Sequence, residues 1–248
     1  MKRFFNWQVA FGFVLIFLST LVYFIHYAIF RDSHHIYIYL LGDVAFVFLE
    51  VLLVTLVLHK LLGHREKQKL LNKLNMVIGA FYSEVGTALL SLFANFDPNS
   101  SEIAKELVVK NEWSPKDFLK MRERFKTYDC LINSQKGSLV KLKDFLHSKR
   151  GFLLNLLENP NVLEHEEFTN LLWAVFHLTE ELVHRKNVEK LPETDFNHLT
   201  GDIKRVYILL ISQWLDYMKH LKESYPYLFS LALRTNPFDK EASVEVTC

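Results

Sequence analysis

The chain has 248 residues, half of them hydrophobic, and a formal net charge of +1 at pH 7. A near-neutral chain lacks the clearly basic surface that nucleic-acid binding usually needs, so we expect no nucleic-acid partner. Its two cysteines, Cys130 and Cys248, lie far apart in sequence. Two cysteines so placed argue against a disulfide framework and favour a reducing compartment.

The first predicted element is a membrane-spanning helix at residues 9–30. This run, VAFGFVLIFLSTLVYFIHYAIF, has the length of about 20 apolar residues that crosses a hydrocarbon core of ~30 Å. Lys2 and Arg3 precede it, as basic residues precede the apolar region of a signal peptide. Such regions are only about 7–15 residues long and end in small residues. Because this run continues through Tyr27, we interpret it as a retained helix.

A second span is predicted at residues 36–62, after a turn at residues 31–35 that is short enough to require an antiparallel hairpin. The turn carries only Arg31, offset by Asp32, whereas basic residues flank the opposite ends of both spans. These flanking residues are Lys2, Arg3, Lys60, Arg65, Lys67, Lys69 and Lys73. The positive-inside rule therefore predicts a cell-membrane protein with two spans, surrounded by lipid bilayer, with both termini cytoplasmic. Residues 1–63 form this hairpin.

Two carboxylates interrupt the second span, Asp43 and Glu50. They are seven residues apart and so share a helix face. An ionised carboxylate near mid-bilayer costs at least ~2.5–3.5 kcal/mol, so each needs a polar partner. On the first span, His26 lies at the depth of Asp43, and Ser19 and Thr20 lie near that of Glu50. We interpret these groups as polar contacts between helices; the alternative is a cation or proton pathway within an oligomer.

Residues 64–235 are predicted to form a cytoplasmic helical domain, and residues 236–248 a flexible tail. Apolar residues recur at helical spacing, and the sequence contains no strand pattern and no phosphate-binding glycine loop. The expected helices run from the second span to about residue 96, then over about residues 99–110, 114–128, 138–158, 164–186, 197–224 and 225–234. The predicted fold class is all-α: a two-helix transmembrane hairpin followed by a cytoplasmic helical bundle.

Two helix starts carry specific signals. Asn99 with Glu102 has the spacing of a capping box, and so has Ser114 with Asp117, where Pro115 also occupies the first helical position. We therefore expect a side-chain cap at both positions.

The richest candidate for metal chemistry is the set His177, Glu180, Glu181 and His184. These residues stand at i, i+3, i+4 and i+7, and Glu181-Leu-Val-His184 has the Glu-x-x-His spacing that metal-binding bundles use. The apolar residues of the same helix occupy the opposite arc, so we expect this face to point outward. A solvated face is the favoured interpretation, and no cofactor is predicted.

Three functions remain open from the sequence. The preferred one is a membrane-anchored oligomeric interaction or signalling module that forms homo-oligomers and offers its cytoplasmic domain to a protein partner. The first alternative is a small oligomeric ion channel or transporter using Asp43 and Glu50, and the second is a membrane-bound helical metalloprotein. No catalytic constellation stands out, which argues against an enzyme.

Overall fold

A computed structural model describes residues 2–245 of the chain, without the side chains of residues 2–6, 8, 58, 59, 61–70 and 72. Predictions that rest on Cys248 or on the side chains of Lys2, Arg3, Arg65, Lys67 and Lys69 lie outside the described residues. Every regular element among the described residues is helical, which confirms the all-α prediction. The helices are α1 (Lys2–Phe30), α2 (Ser33–Phe81), a π-helix (Tyr82–Gly86), α3 (Thr87–Ala94), α4 (Ser100–Leu107), α5 (Pro115–Lys126), α6 (Leu139–Leu157), α7 (Pro160–Leu163), α8 (Glu166–His184), α9 (Glu193–Ser224) and α10 (Pro226–Arg234).

The chain divides into two compact units, Met1–Lys67 and Gln68–Cys248. In the first unit, α1 and the first part of α2 are joined by a very short connection, in which Arg31 adopts a positive φ of 51°. The Asp32 carboxylate then accepts hydrogen bonds from the backbone N–H groups of His34 and His35, at 3.0 and 3.2 Å. This capping starts α2 at Ser33, a few residues earlier than predicted.

Two helical segments of the first unit are long and apolar enough to cross a membrane, Val9–Phe30 and Ser33–Val57. None of their most apolar stretch is buried against protein. A third segment, Lys73–Ala94, also has the length and composition of a span, but 44% of its most apolar stretch is buried. It contributes to the core of the second unit, where Phe81 and Leu89 are fully buried.

The second unit is a helical bundle whose core is organised around α9. This helix contacts α3, α5, α8, α10 and the π-helix, and α6 packs on α8. Aromatic residues fill much of the core: Phe81 packs edge-on against Phe168, and Phe93 against Tyr207. The packing continues past α10, because Phe238 is buried against Trp214. The predicted start of a flexible tail at residue 236 therefore falls too early.

The two predicted capping boxes have different outcomes. At α5, the Asp117 carboxylate accepts hydrogen bonds from both the N–H and the hydroxyl of Ser114, each at 2.7 Å, as predicted. At α4, the prediction is wrong, because Asn99 makes no side-chain cap. The Asp97 carboxylate accepts the Asn99 N–H at 2.8 Å instead, and the chain reaches α4 through this tight turn.

Cys130 lies in the connection between α5 and α6. Its side chain is buried, and this burial raises the pKa of the thiol to about 11. The thiol is therefore protonated and unreactive at neutral pH.

Candidate functional site

The polar residues of the hairpin pair differently from the prediction. The Tyr23 hydroxyl donates a hydrogen bond of 3.4 Å to Asp43, linking α1 to α2, so Tyr23 replaces His26 as the partner. The His26 ring packs against Phe30 of its own helix, with ring centroids 4.8 Å apart and planes tilted by 40°, and its buried Nδ1 atom has no hydrogen-bond partner among the described residues. Tyr23 lies about one helical turn from His26, the predicted partner. Because a tyrosine side chain is longer than a histidine side chain, its hydroxyl reaches the Asp43 carboxylate.

The predicted partners of Glu50 do not reach it. Thr20 donates its hydroxyl hydrogen bond to the Ile16 carbonyl of its own helix at 2.9 Å, the usual back-bonding of a threonine inside a helix. Among the described residues, neither Ser19 nor Glu50 makes a side-chain hydrogen bond. Glu50 is exposed in the middle of an apolar helix, and its carboxylate has no partner within the described hairpin.

The four predicted metal candidates on α8 separate into two pairs. Glu180 forms an ion pair of 2.7 Å with Arg150 of α6 and lies 4.0 Å from His184. The hydrogen bond from Arg150 holds the pKa of the Glu180 carboxyl below its ordinary value. His177 and Glu181 share the same helix face but contact α9, and His177 Nε2 lies 3.8 Å from a Glu181 oxygen. The four residues do not converge on one point.

Two residues of α9 complete a cluster with His177 and Glu181. Asp202 is buried, with one carboxylate oxygen 3.5 Å from His177 Nε2 and 3.3 Å from His198 Nε2. His198 Nε2 also lies 3.7 Å from a Glu181 oxygen. We refer to His177, Glu181, His198 and Asp202 as the α8–α9 cluster.

Arginine side chains surround the carboxylates of this cluster. Arg185 pairs with Glu181 at 2.5 Å and with Asp195 at 2.6 Å, and its hydrogen bonds hold the pKa of both carboxyls below their ordinary values. Arg205 donates a 3.2 Å hydrogen bond to the second oxygen of Asp202. When Asp195, which lies outside the cluster, is counted with Glu181 and Asp202, three carboxylates stand against two guanidinium groups, so this region has a local excess of one negative charge.

Sequence reasoning missed His198 and Asp202. The signal was present, because both helices carry a histidine followed four residues later by a carboxylate, His177 with Glu181 and His198 with Asp202. That spacing puts both members on one helix face. Nothing in the sequence says that these two faces meet, because helix pairing is set by the whole core.

A groove of about 560 Å³ opens in the second unit beside α10. Its lining includes Asn75, Gly79, Ser83, Tyr217, His220 and Leu231, and we call it the α10 groove. The Asn75 amide lies 3.2 Å from His220 Nδ1, and burial lowers the pKa of this histidine below its ordinary value of 6.5. His220 is therefore neutral at pH 7.

The π-helix forms part of the wall of the α10 groove. Its first residue, Tyr82, stacks on Tyr217 at 5.1 Å and donates a 2.9 Å hydrogen bond to the Leu210 carbonyl. A π-turn inside an α-helix is uncommon and is often found at functional sites. The groove has the size and mixed lining of a small-molecule or side-chain binding site.

Comparisons with known proteins match both parts of the chain. Residues 2–62 match the family model described as "MJ1433, N-terminal helical domain", and residues 70–234 match "Uncharacterized protein MJ1433, C-terminal helical domain". A curated relative, "Uncharacterized protein MJ1433" of Methanocaldococcus jannaschii, is 49% identical over 230 residues, which cover 93% of this chain and 92% of the relative. No solved structure matches the chain.

Proposed function

The chain belongs to the family of the uncharacterized protein MJ1433, and we propose that it is a membrane-anchored module that forms homo-oligomers through its N-terminal hairpin. In this proposal the second unit is the cytoplasmic interaction domain that the hairpin holds at the membrane. The observation that carries the proposal is Glu50, an exposed carboxylate in an apolar helix without a described partner.

Anchoring is supported by the apolar surface of the hairpin. The segments Val9–Phe30 and Ser33–Val57 have 22 and 25 residues. At ~1.5 Å per residue these lengths are about 33 and 38 Å, enough for a hydrocarbon core of ~30 Å. Removing one large apolar side chain from water contributes about 1.5–3 kcal/mol. Nearly all such side chains in the two segments are exposed, so a lipid environment strongly stabilises the hairpin.

Orientation is supported by the basic residues at the hairpin ends. Lys2 and Arg3 precede the first apolar segment, and Lys60 follows the second, whereas Arg31 stands beside Asp32 in the turn. This distribution favours a cytoplasmic location for both termini.

Assembly is supported by the difference between the two intramembrane carboxylates. Asp43 has the Tyr23 hydroxyl as a partner within the hairpin, whereas Glu50 has no described partner there. Leaving Glu50 in hydrocarbon costs at least ~2.5–3.5 kcal/mol when it is ionised. A polar group from a second copy reduces that cost, because polar side chains in spans act as contacts between helices.

The second unit offers a surface for a protein partner. Leu228 and Leu231 of α10 are exposed at the α10 groove, and Tyr227 beside them is 71% exposed. Apolar side chains grouped at the rim of a groove are typical of contact surfaces.

The test of the proposal is the mass of the full-length protein in mild detergent, measured by light scattering after size exclusion. We expect wild type to contain several copies. Each contact of ~0.6–2 kcal/mol that Glu50→Leu removes should raise the protein concentration at which the oligomer dissociates by about 3- to 30-fold. Asp43→Asn is the matched control, because Asp43 is satisfied inside the hairpin, and it should assemble like wild type. A single-copy wild type, or a Glu50→Leu variant that assembles unchanged, would contradict the proposal.

A second candidate function is ion conduction, and the same residue favours it. If several hairpins surround an axis, Glu50 is the carboxylate free to line it. Wild-type protein in liposomes should then pass a cation or proton flux that Glu50→Gln reduces. An absence of flux, or a flux that Glu50→Gln leaves unchanged, removes this candidate without affecting the anchoring proposal.

A further inference from the structure

The α8–α9 cluster brings together three potential metal ligands from two helices. His177 of α8 and His198 and Asp202 of α9 each offer one ligand atom, and these atoms all lie within 4.8 Å of one another. From this arrangement we infer that the cluster is a binding site for a first-row divalent transition-metal ion of the Zn²⁺ type. The inference is independent of whether the hairpin forms oligomers.

The separations between the ligand atoms fit a single small cation. Zinc is bound by histidine nitrogens and carboxylate oxygens at about 2.0–2.2 Å, so two ligands of a tetrahedral site stand about 3.3 Å apart. The Asp202 oxygen lies 3.3 Å from His198 Nε2 and 3.5 Å from His177 Nε2. The two imidazole nitrogens lie within 4.8 Å of each other, so side-chain rotation is needed to bring all three atoms onto one ion.

The Asp202 carboxylate provides independent support, because one of its oxygens needs a partner. The Asp202 side chain is only 4% exposed, and Oδ2, the oxygen that faces the two imidazoles, makes no hydrogen bond within the described part of the chain. The other oxygen, Oδ1, accepts a hydrogen bond from Arg205. An unsatisfied buried oxygen costs about 1–3 kcal/mol, and more when it is charged. A cation held between Oδ2 and the imidazoles removes that cost.

Glu181 contributes to the charge around the site and lies close to both imidazoles. Its two oxygens lie 3.8 Å from His177 Nε2 and 3.7 Å from His198 Nε2, while Arg185 holds one of them at 2.5 Å. Counting Asp195 beside the site, the carboxylates exceed the guanidinium groups by one, which favours a cation electrostatically. With three protein ligands the site keeps a position open to water, and both imidazoles are about half exposed, so an ion can enter from solvent.

The ligand types define the class of ion. Two imidazoles and one carboxylate favour Zn²⁺, Co²⁺, Ni²⁺ or Fe²⁺, whereas Mg²⁺ and Ca²⁺ prefer sites made of oxygen ligands. The set therefore predicts selectivity for transition metals over the alkaline-earth ions.

The test is a Zn²⁺ titration of the full-length protein in detergent, with any affinity tag removed and bound metal stripped by a chelator. We expect one Zn²⁺ per chain, and a loss of affinity in His198→Gln and Asp202→Asn larger than the ~10–100-fold seen when only outer-shell partners of a metal site are changed. Mg²⁺ or Ca²⁺ at the same concentration should not compete. Co²⁺ should give the visible absorption of a tetrahedral site in wild type and not in His198→Gln.

His184→Gln is the matched control, since His184 lies on the same helix but outside the cluster, and it should bind Zn²⁺ like wild type. His198 is half exposed, so its variant reports on the site even if Asp202→Asn impairs folding. The inference is overturned if wild type does not bind Zn²⁺. It is also overturned if His198→Gln binds as tightly as wild type.

Discussion

Gly86, the last residue of the π-helix, lies directly against the Tyr82 ring. A Cβ atom there would stand 2.5 Å from Tyr82 Cδ1, well inside contact distance. The ring cannot easily move, because Tyr217 stacks on one face and the Leu210 carbonyl holds its hydroxyl. This explains why glycine fits the turn, although its φ of −63° suits any residue.

We therefore expect Gly86→Ala to lower the free energy of unfolding by about 1–3 kcal/mol, as overpacking of a well-packed core does. Urea unfolding followed by circular dichroism measures the effect. Gly201→Ala is the matched control, since nothing lies within 4 Å of a Cβ added in that helix, and it should stabilise by about 0.4–1 kcal/mol. Equal effects of the two substitutions would contradict the close contact at Tyr82.

At the scale of one element, α6 depends on the cap at its first turn. The Ser138 hydroxyl accepts a hydrogen bond of 3.2 Å from the Lys141 N–H. Losing a serine cap costs typically about 1 kcal/mol, because a backbone donor at the helix start loses its partner. We expect Ser138→Ala to lower the free energy of unfolding by that amount in urea.

Ser148 gives the control for this substitution within the same helix. Its hydroxyl donates to the Phe145 carbonyl in the helix interior, where alanine has the higher helix propensity. Ser148→Ala should therefore be neutral or slightly stabilising. A loss as large as that of Ser138→Ala would show that removal of any hydroxyl, rather than of the cap, causes the change.

The sequence predicts the elements well where local chemistry decides them. Ser114 and Ser138 both mark helix starts, because a capping side chain acts within one turn of chain. Asn99 makes no side-chain cap because its backbone, with φ −96° and ψ 12°, is not in the extended conformation of an N-cap, and Asp97 binds the N–H that the predicted capping box gave to Glu102. α9 begins at Glu193, a few residues before the predicted start, after Pro192 and ahead of an acidic first turn.

The candidate site is predicted only in part, because it depends on which helices meet. His177 and Glu181 lie on a single helix and are visible as an i, i+4 pair, whereas His198 joins them only through the packing of α8 on α9. In the same way, the depth of Asp43 indicates a partner on α1 but does not decide between Tyr23 and His26. The periodicity of the sequence shows which residues share a helix face, whereas tertiary packing decides which helix faces contact each other.

At the scale of the whole second unit, Arg122 connects three helices. From α5 it reaches Glu167 of α8 at 2.5 Å and Asp216 of α9 at 2.7 Å, and its side chain is only 15% exposed. Burial raises the pKa of the Asp216 carboxyl above its ordinary value even with this guanidinium nearby. Without Arg122, Glu167 and Asp216 would lose the cation that they share, and Glu167 would keep only its ion pair of 3.7 Å with Lys126.

We expect Arg122→Gln to lower the free energy of unfolding by about 1–3 kcal/mol, below the ~3–5 kcal/mol of a fully buried pair because both carboxylates are partly exposed. Chemical unfolding of the full-length protein in detergent measures this loss. Arg124→Gln removes a more exposed pair with Glu106 and should cost less than ~1 kcal/mol. If the two variants lose the same stability, Arg122 is not a central link between the helices.

The buried Cys130 thiol makes the opening of the second unit measurable in its native state. Protonated and shielded, it does not react with an alkylating reagent at neutral pH until the chain around it separates, so its modification rate counts rare opening events. In a Cys248→Ser background, the alkylation rate of the protein reports on Cys130 alone. Added Zn²⁺ should slow the alkylation of Cys130 if an ion bridges α8 and α9. No probe has to be introduced near either helix.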